Sequence, residues 1–387
     1  MESTENALES IDWTSDDNRL FLNHRMKDDL KGHYRKIFKE ATYRHGLKGQ
    51  LGFLTSGTTV TDPKGYKIVL LSKESFLTSA KSVNKYFILS PKDLWMQCLP
   101  RFHVGGMAIE ARSYVGGFPV AKYLEAWDPQ NFYQFLVSSK STWTSLVPTQ
   151  VYDLVKANLR SPKNLRVLVG GARISPQLIK LAKDLGWNLI PSYGMTELAS
   201  TIGIIENETI RPLPHVQLEI RDGKLAIKSQ SLMTAYVQVQ KGQIELTQPQ
   251  LSNGYFLSED AASRMGNGIM LLGRTQDVVK ISGELVSFPR LRDIWFRVNG
   301  LEMAHSFHIM PIPDPRTEFQ VAMVMQNKPT PAVLQQLGQF QSEVMPFERI
   351  QRYFLLDQIP RTELGKVQEK QLQTMIEKGQ IHEFKIP

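Results

Sequence analysis

Between residues 90 and 200, short apolar runs alternate with segments that open on helix-capping pairs, and no other feature of the chain constrains the fold as strongly. Asp128-Pro129 supplies an N-cap and a first helical residue for a helix running through Val137, and the strand-like run Trp143 to Val147 follows it. The strand-like run Arg166 to Val169 precedes Ser175-Pro176, which opens a second helix that Gly186 closes; Asn188 to Ile190 then reads as strand. Strand, helix, strand in succession specifies an α/β sheet, whose ligands sit at the carboxyl ends of its strands. Gly170-Gly171 and Ser192 to Glu197 fall at such ends.

After about residue 205 the pattern changes to short, alternating, turn-rich segments, among them Val216 to Arg221 and Lys224 to Lys228 joined by Asp222-Gly223. This reads as a small antiparallel β subdomain. A boundary is expected near Gly273-Arg274, dividing residues 1–273 from residues 274–387. At 387 residues the chain exceeds the size at which one core stops growing, which agrees with two domains. No apolar run approaches the ~20 residues of a membrane helix, and the opening MESTENALES lacks the basic and apolar regions of a signal peptide. With a single cysteine, Cys98, no internal disulfide can form, and a reducing cytoplasmic location is expected. The net charge of +8 is spread among acids along the chain. Its densest stretch, Arg25 to Lys48, carries Met26, Leu30, Tyr34, Ile37, Phe38 and Ala41 at helical spacing, so it reads as an amphipathic helix with a solvated basic face. Such charge can steer anionic ligands, and without a recognition module it does not imply nucleic-acid binding.

Thr55-Ser56-Gly57-Thr58-Thr59 and the following Lys64-Gly65 crowd hydroxyls, glycines and a lysine into one loop. Small residues let backbone N–H groups approach phosphate oxygens, hydroxyls add donors, and Lys64 adds a cation. The spacing is not that of a Walker loop, because Gly65 stands where Ser or Thr would hold magnesium.

Five separated segments then form one ordered set: TSGTTVTDPKG at 55–65, PSYGMTE at 191–197, GYFLSED at 254–260, LGRTQDVVKISGE at 272–284 and PRTELGK at 360–366. In order and spacing they resemble the acyl- and aryl-CoA ligases of the adenylate-forming superfamily. QCLPRFHVGGMAIEARSYVGG, TSLVPTQ, LVGGARISPQL and SYGMTELAST, between residues 97 and 202, are similar in particular to the o-succinylbenzoate-CoA ligase family of menaquinone biosynthesis. The resemblance covers roughly residues 50–387. It implies a truncated N-terminal adenylate-forming domain with an α/β sheet and small β subdomain, followed by a small α+β lid. It also implies ATP, Mg²⁺ and coenzyme A as the companions of a small carboxylic acid substrate.

Residue by residue, the resemblance implies that Thr55, Ser56, Gly57, Thr58, Thr59 and Lys64 cradle phosphates. Tyr193 stacks on adenine, while Gly170, Gly171 and Gly194 allow close backbone approach. Thr196 and Glu197 meet the α-phosphate and magnesium, since Mg²⁺ prefers carboxylate and phosphate oxygens. Asp260 accepts the ribose hydroxyls and Arg274 supports the ribose. Lys366 is the catalytic cation, His103 gates acyl and thiol access, and Gly283 leaves room for the pantetheine arm. Arg112 stands where it could pair bidentately with the distal carboxylate of a succinyl group, the alternative being a helix-surface arginine.

Departures from the family pattern are an extra residue in the phosphate loop with Val60 in place of glycine, Ser258-Glu259 in place of Thr-Gly, and Gln276 where aspartate is usual at the hinge. Only 54 residues precede the loop, fewer than in the family. The central sheet then needs cover from the N-terminal helix, from a homodimer contact, or from a smaller sheet. Three readings stay open: an o-succinylbenzoate-CoA ligase, a CoA ligase for another aromatic or aliphatic acid, and a catalytically lapsed protein that binds nucleotide or acyl adenylate.

Overall fold

The structure, a computed structural model, describes residues 10–55, 66–240, 242–300, 306–362 and 367–386. The first strand, β1 (Arg19–Phe21), lies parallel to β2 (Gln50–Thr55), and β2 pairs antiparallel with β3 (Lys67–Ser72). Between β1 and β2 runs helix α1 (Asp28–Arg44), in which Tyr34, Ile37, Phe38 and Ala41 recur at i, i+3, i+4 and i+7. That stripe buries itself against Ile68 and Leu70 on one face of β3. Val69 and Leu71 alternate to the other face, against Phe76 and Ala80 of α2 (Lys73–Phe87). The apolar run of β3 is therefore covered on both sides, by α1 and α2, and the face that α1 covers belongs to this sheet of β1, β2 and β3.

A parallel array follows: β4 (Trp95–Gln97), α3 (Val104–Gly116), β5 (Val120–Lys122), α4 (Pro129–Ser139), β6 (Trp143–Leu146), α5 (Pro148–Lys156), β7 (Arg166–Val169), α6 (Pro176–Asp184) and β8 (Asn188–Met195). The caps read from the sequence form as hydrogen bonds. Asp128 accepts from the Asn131 N–H at 2.8 Å and Ser175 from the Leu178 N–H at 3.1 Å. Gly186, at φ +84°, follows the second of these helices. Val147 is not the end of β6 but the N-cap of α5. In space the strands run β8-β7-β6-β4-β5.

β8 does not stop at Ile190. It continues to Met195 and there pairs antiparallel with β9 (Ser200–Glu206), so the sheet passes from parallel to antiparallel without a break. β10 (Thr209–Pro212), β11 (Val216–Arg221) and β12 (Lys224–Ser229) follow, with Asp222 at φ +49° and Gly223 at φ +72° turning the β11–β12 hairpin as the sequence specified. β13 (Ala235–Gln240) and β14 (Gln243–Thr247) leave this sheet, and β13 pairs with β3 to give the five-stranded order β1-β2-β3-β13-β14. β15 (Leu251–Ser252), β16 (Tyr255–Met265) and β17 (Gly268–Arg274) return, making a twelve-stranded sheet. The strands between Thr209 and Arg274 are antiparallel as read, yet they are shared between two sheets.

Beyond Arg274 come the hairpin β18 (Val278–Ile281) and β19 (Glu284–Ser287), α7 (Phe288–Asn299), β20 (Phe307–Asp314), β21 (Glu318–Met325), α8 (Pro331–Glu343), β22 (Ile350–Leu355), α9 (Glu369–Glu377) and β23 (His382–Phe384). β20 to β23 form a four-stranded sheet in that order. Val321, Met323 and Met325 of β21 face Leu291, Trp295 and Phe340 of α7 and α8, while Ala322 and Val324 face Leu372 of α9. This segment thus has its own two-faced core. Among the described residues no helix is long and apolar enough to cross a membrane.

Candidate active site

The carboxyl ends of β4, β7 and β8 deliver three of the expected elements. Past β4, His103 adopts extended backbone as the N-cap of α3, and its carbonyl accepts from the Gly106 N–H at 3.0 Å and the Met107 N–H at 3.1 Å. Past β7 lie Gly170 and Gly171, the latter at φ +81°, and the Ser192 hydroxyl of β8 donates to the Val169 carbonyl at 2.9 Å. Gly194 answers to a packing demand of its own. A Cβ there would fall 1.9 Å from the Ser200 carbonyl oxygen, so only glycine permits this β8–β9 approach.

Tyr193, Asp260 and Arg274 meet. The Tyr193 hydroxyl donates to Asp260 Oδ2, and Arg274 Nε lies 2.9 Å from Oδ1 of the same carboxylate. Asp260 and Arg274 are direct cross-strand partners on β16 and β17, so register alone places the ion pair. Burial, then the Asp260 charge and the hydrogen bond to it, pushes the Tyr193 phenol far above its ordinary value and keeps it a neutral donor. Ser258, one of the departures from the family pattern, is buried with its hydroxyl donated to the Leu225 carbonyl at 2.9 Å and accepting from the Asp260 N–H at 3.2 Å. It fixes the backbone that carries Asp260.

Thr196 and Glu197 lie in a short 3₁₀ turn after β8, and Ala199 and Ser200, which follow, hold positive φ of +53° and +90° without being glycine. The Glu197 carboxylate Oε1 accepts from the Tyr236 hydroxyl at 2.9 Å. Thr55 ends β2 opposite Lys67 of β3, so these two residues flank the phosphate loop. Ser56, Gly57, Thr58, Thr59 and Lys64 lie outside the described residues, as does Lys366. No group of three or more His, Cys, Asp or Glu able to hold a metal occurs among the described residues. A single held carboxylate fits Mg²⁺, which keeps several waters and takes one or two carboxylates plus substrate phosphates.

Arg112 is not a helix-surface arginine. It is 1% exposed, its Nη2 donates to the Thr201 hydroxyl at 3.0 Å, and its guanidinium lies 5.2 Å from the Trp95 ring centroid. Nε and Nη1 have no hydrogen-bond partner among the described residues, and burial pulls its pKa down to about 10. Gly283, at φ +87°, forms with Ser282 at φ +52° the two-residue turn of the β18–β19 hairpin, and a Cβ at Gly283 would meet nothing. Its local requirement is the left-handed turn. Tyr236 entered the site without having been singled out in the sequence, and Ser258 had been noted only as a departure from the family pattern. The spacing of Ser258 from Asp260 was a readable signal, whereas the Tyr236 contact joins two sheets and had none.

The family model described as AMP-binding enzyme matches residues 53–256, and the chain belongs to that family. The 2-succinylbenzoate–CoA ligase of Staphylococcus epidermidis is 24% identical over 336 residues, covering 83% of this chain and 68% of that protein. Among solved structures, the o-succinylbenzoate CoA synthetase of Bacillus subtilis in complex with its acyl-adenylate intermediate superposes with a TM-score of 0.75 at 19% identity, over 92% of this chain and 82% of that one. The same enzyme in complex with ATP and magnesium gives 0.74 at 19% identity, over 91% and 83%. These likenesses establish the fold, and the chain spans about two thirds of the length of the curated relative, as 68% coverage states.

Proposed function

We propose that this chain is an AMP-forming ligase that joins 2-succinylbenzoate to coenzyme A through an acyl adenylate. The reading is carried by relatives of that name aligned over 83% of the chain, with the five motifs in order. In the first half-reaction a carboxylate oxygen of the acid attacks the α-phosphorus of ATP, and the bond to the departing pyrophosphate breaks. In the second, the coenzyme A sulfur attacks the acyl carbon, the bond to AMP breaks, and the thiol proton passes to solvent.

The residues divide this work. Asp260 and Arg274 take the ribose, Tyr193 takes adenine beside Gly170-Gly171, and the loop from Thr55 to Lys64 takes the phosphates. Thr196 hydrogen-bonds the α-phosphate and Glu197 holds the magnesium, which neutralises phosphate charge as pyrophosphate leaves. Arg112 receives the distal carboxylate through Nε and Nη1. Because it is 1% exposed, its neighbours must yield to admit the acid. His103, at the start of α3, stands between acyl and thiol routes, and Gly283 borders the pantetheine arm. The division falls at residues 273/274, with 274–387 a lid that brings Lys366 to the reacting oxygens and then pivots at Gln276.

Incubation with ATP, Mg²⁺, coenzyme A and 2-succinylbenzoate should yield AMP, pyrophosphate and the thioester in equal amounts. Lys366→Ala should lower adenylate formation by about 10²–10³-fold and spare thioester formation from supplied acyl adenylate. A thioester with some other acid only would discard the substrate. Absence of AMP with any acid would discard the ligase.

A further inference from the structure

The segment between β12 and β13 grips the turn that carries Thr196 and Glu197 at several points. The Met233 N–H donates to the Glu197 carbonyl at 2.7 Å, and the Ser231 hydroxyl to the Leu198 carbonyl at 3.0 Å. The Thr234 N–H donates to the Leu70 carbonyl of β3 at 2.8 Å, so the same segment is tied to the strand that leaves the phosphate loop. Tyr236 completes this bridge with a side chain. On β13 it stands opposite Val69 of β3, its ring lies 5.2 Å from Lys67 Nζ, and its hydroxyl reaches across to Glu197 Oε1 at 2.9 Å.

We infer that Tyr236 is a positioning residue for the metal-bound nucleotide: its hydroxyl fixes the Glu197 carboxylate so that the remaining oxygen faces the divalent cation on the phosphates. The Glu197 carboxylate has no other hydrogen bond or ion pair among the described residues, so without the phenol its rotamers compete in solvent. A carboxylate that must reach a cation brought in by the substrate gains affinity when one oxygen is held beforehand, as outer-shell partners of metal ligands generally provide. Lys67 sits on the ring of the same tyrosine and pairs across the sheet with Thr55, which couples the carboxylate to the two residues flanking the phosphate loop. This inference rests on the ligase reading for its nucleotide, and not on the identity of the acid.

The test is equilibrium binding of ATP by the full chain, with Mg²⁺ and with the metal removed by chelation. Tyr236→Phe keeps the ring and its contact with Lys67 and deletes only the hydroxyl. Its affinity for ATP·Mg²⁺ should fall about 10-fold or more, while its affinity for metal-free ATP stays within about twofold. In a Glu197→Gln background the same substitution should cost nothing further, because the hydroxyl acts through that carboxylate. Equal weakening with and without metal would show a merely structural tyrosine and overturn the inference. Full retention of ATP·Mg²⁺ affinity would overturn it as well, leaving the ligase reading intact. Failure of the unmodified chain to bind ATP in either form would overturn both.

Discussion

Asp260 and Arg112 are both buried charges, at 7% and 1% exposure, and they are treated in opposite ways. Asp260 has its carboxylate engaged on both oxygens, by the Tyr193 hydroxyl and by Arg274, with its own N–H held by Ser258. Among the described residues the Arg112 guanidinium has one hydrogen bond, to Thr201, and an aromatic face, with two nitrogens left over. Buried polar groups are nearly always paired, so a satisfied one reads as structure and an unsatisfied one asks what completes it. The Asp260 corner, which takes the nucleoside in the reading above, is thus assembled by the protein alone. The acid corner is assembled by the protein and, in the reading above, by the second carboxylate of its substrate.

The largest effect that separates the two corners is expected at Arg112. Arg112→Met should lower kcat/KM for 2-succinylbenzoate by about 10²–10³-fold, as expected when one partner of a desolvated charge pair is removed. The same substitution should leave the urea midpoint unchanged or higher, because an incompletely paired buried charge is replaced by an apolar chain of similar length. Steady-state kinetics and a denaturation curve on one preparation decide it.

Asp260→Ala should differ in its effect on the fold, whatever it costs in nucleotide binding. Here the Tyr193 donor and Arg274 lose their acceptor, and folding stability should drop by about 2–3 kcal/mol, read from urea unfolding. If Arg112→Met proves the more destabilising of the two, the contrast between a structural and a ligand-completed charge fails.

The smallest effect concerns His215, which is half-buried, with both ring nitrogens shielded from solvent and without a partner among the described residues. It handles burial by discarding its proton: desolvation lowers its pKa from 6.5 to about 4. The unfolded chain therefore binds more protons between those values. The stabilising contribution is fully present above pH 6.5 and is lost as pH falls through about 4. Stability should decline by about 1–2 kcal/mol across that window, discounted for partial exposure, and His215→Phe should flatten the decline. A slope unchanged in the variant would assign the pH dependence to other groups.

How much of this was legible in the sequence depended on the range of the contact. The caps at Asp128 and Ser175 and the Asp222-Gly223 hairpin are local chemistry, and they form as written. The expected residues Tyr193, Asp260 and Arg274 lie far apart in the chain and still meet, because cross-strand register places the last two opposite one another. The return of β13 to β3 could not be read, since alternation in a strand does not name its partner; for the same reason the Tyr236 to Glu197 bond had no signal. The burial of Arg112 could have been read. The stretch Val104-Gly-Gly-Met-Ala-Ile is small or apolar on every side, and a helix of that composition has little solvent face to offer the arginine beyond it.

The most direct measurement is an experimental structure of the chain with 2-succinylbenzoate and a non-reactive ATP analogue bound. The account predicts the distal carboxylate within hydrogen-bond distance of Arg112 Nε and Nη1, with Thr201 still on Nη2. A bound acid whose distal carboxylate is held elsewhere, with those two nitrogens still unpartnered, would contradict it.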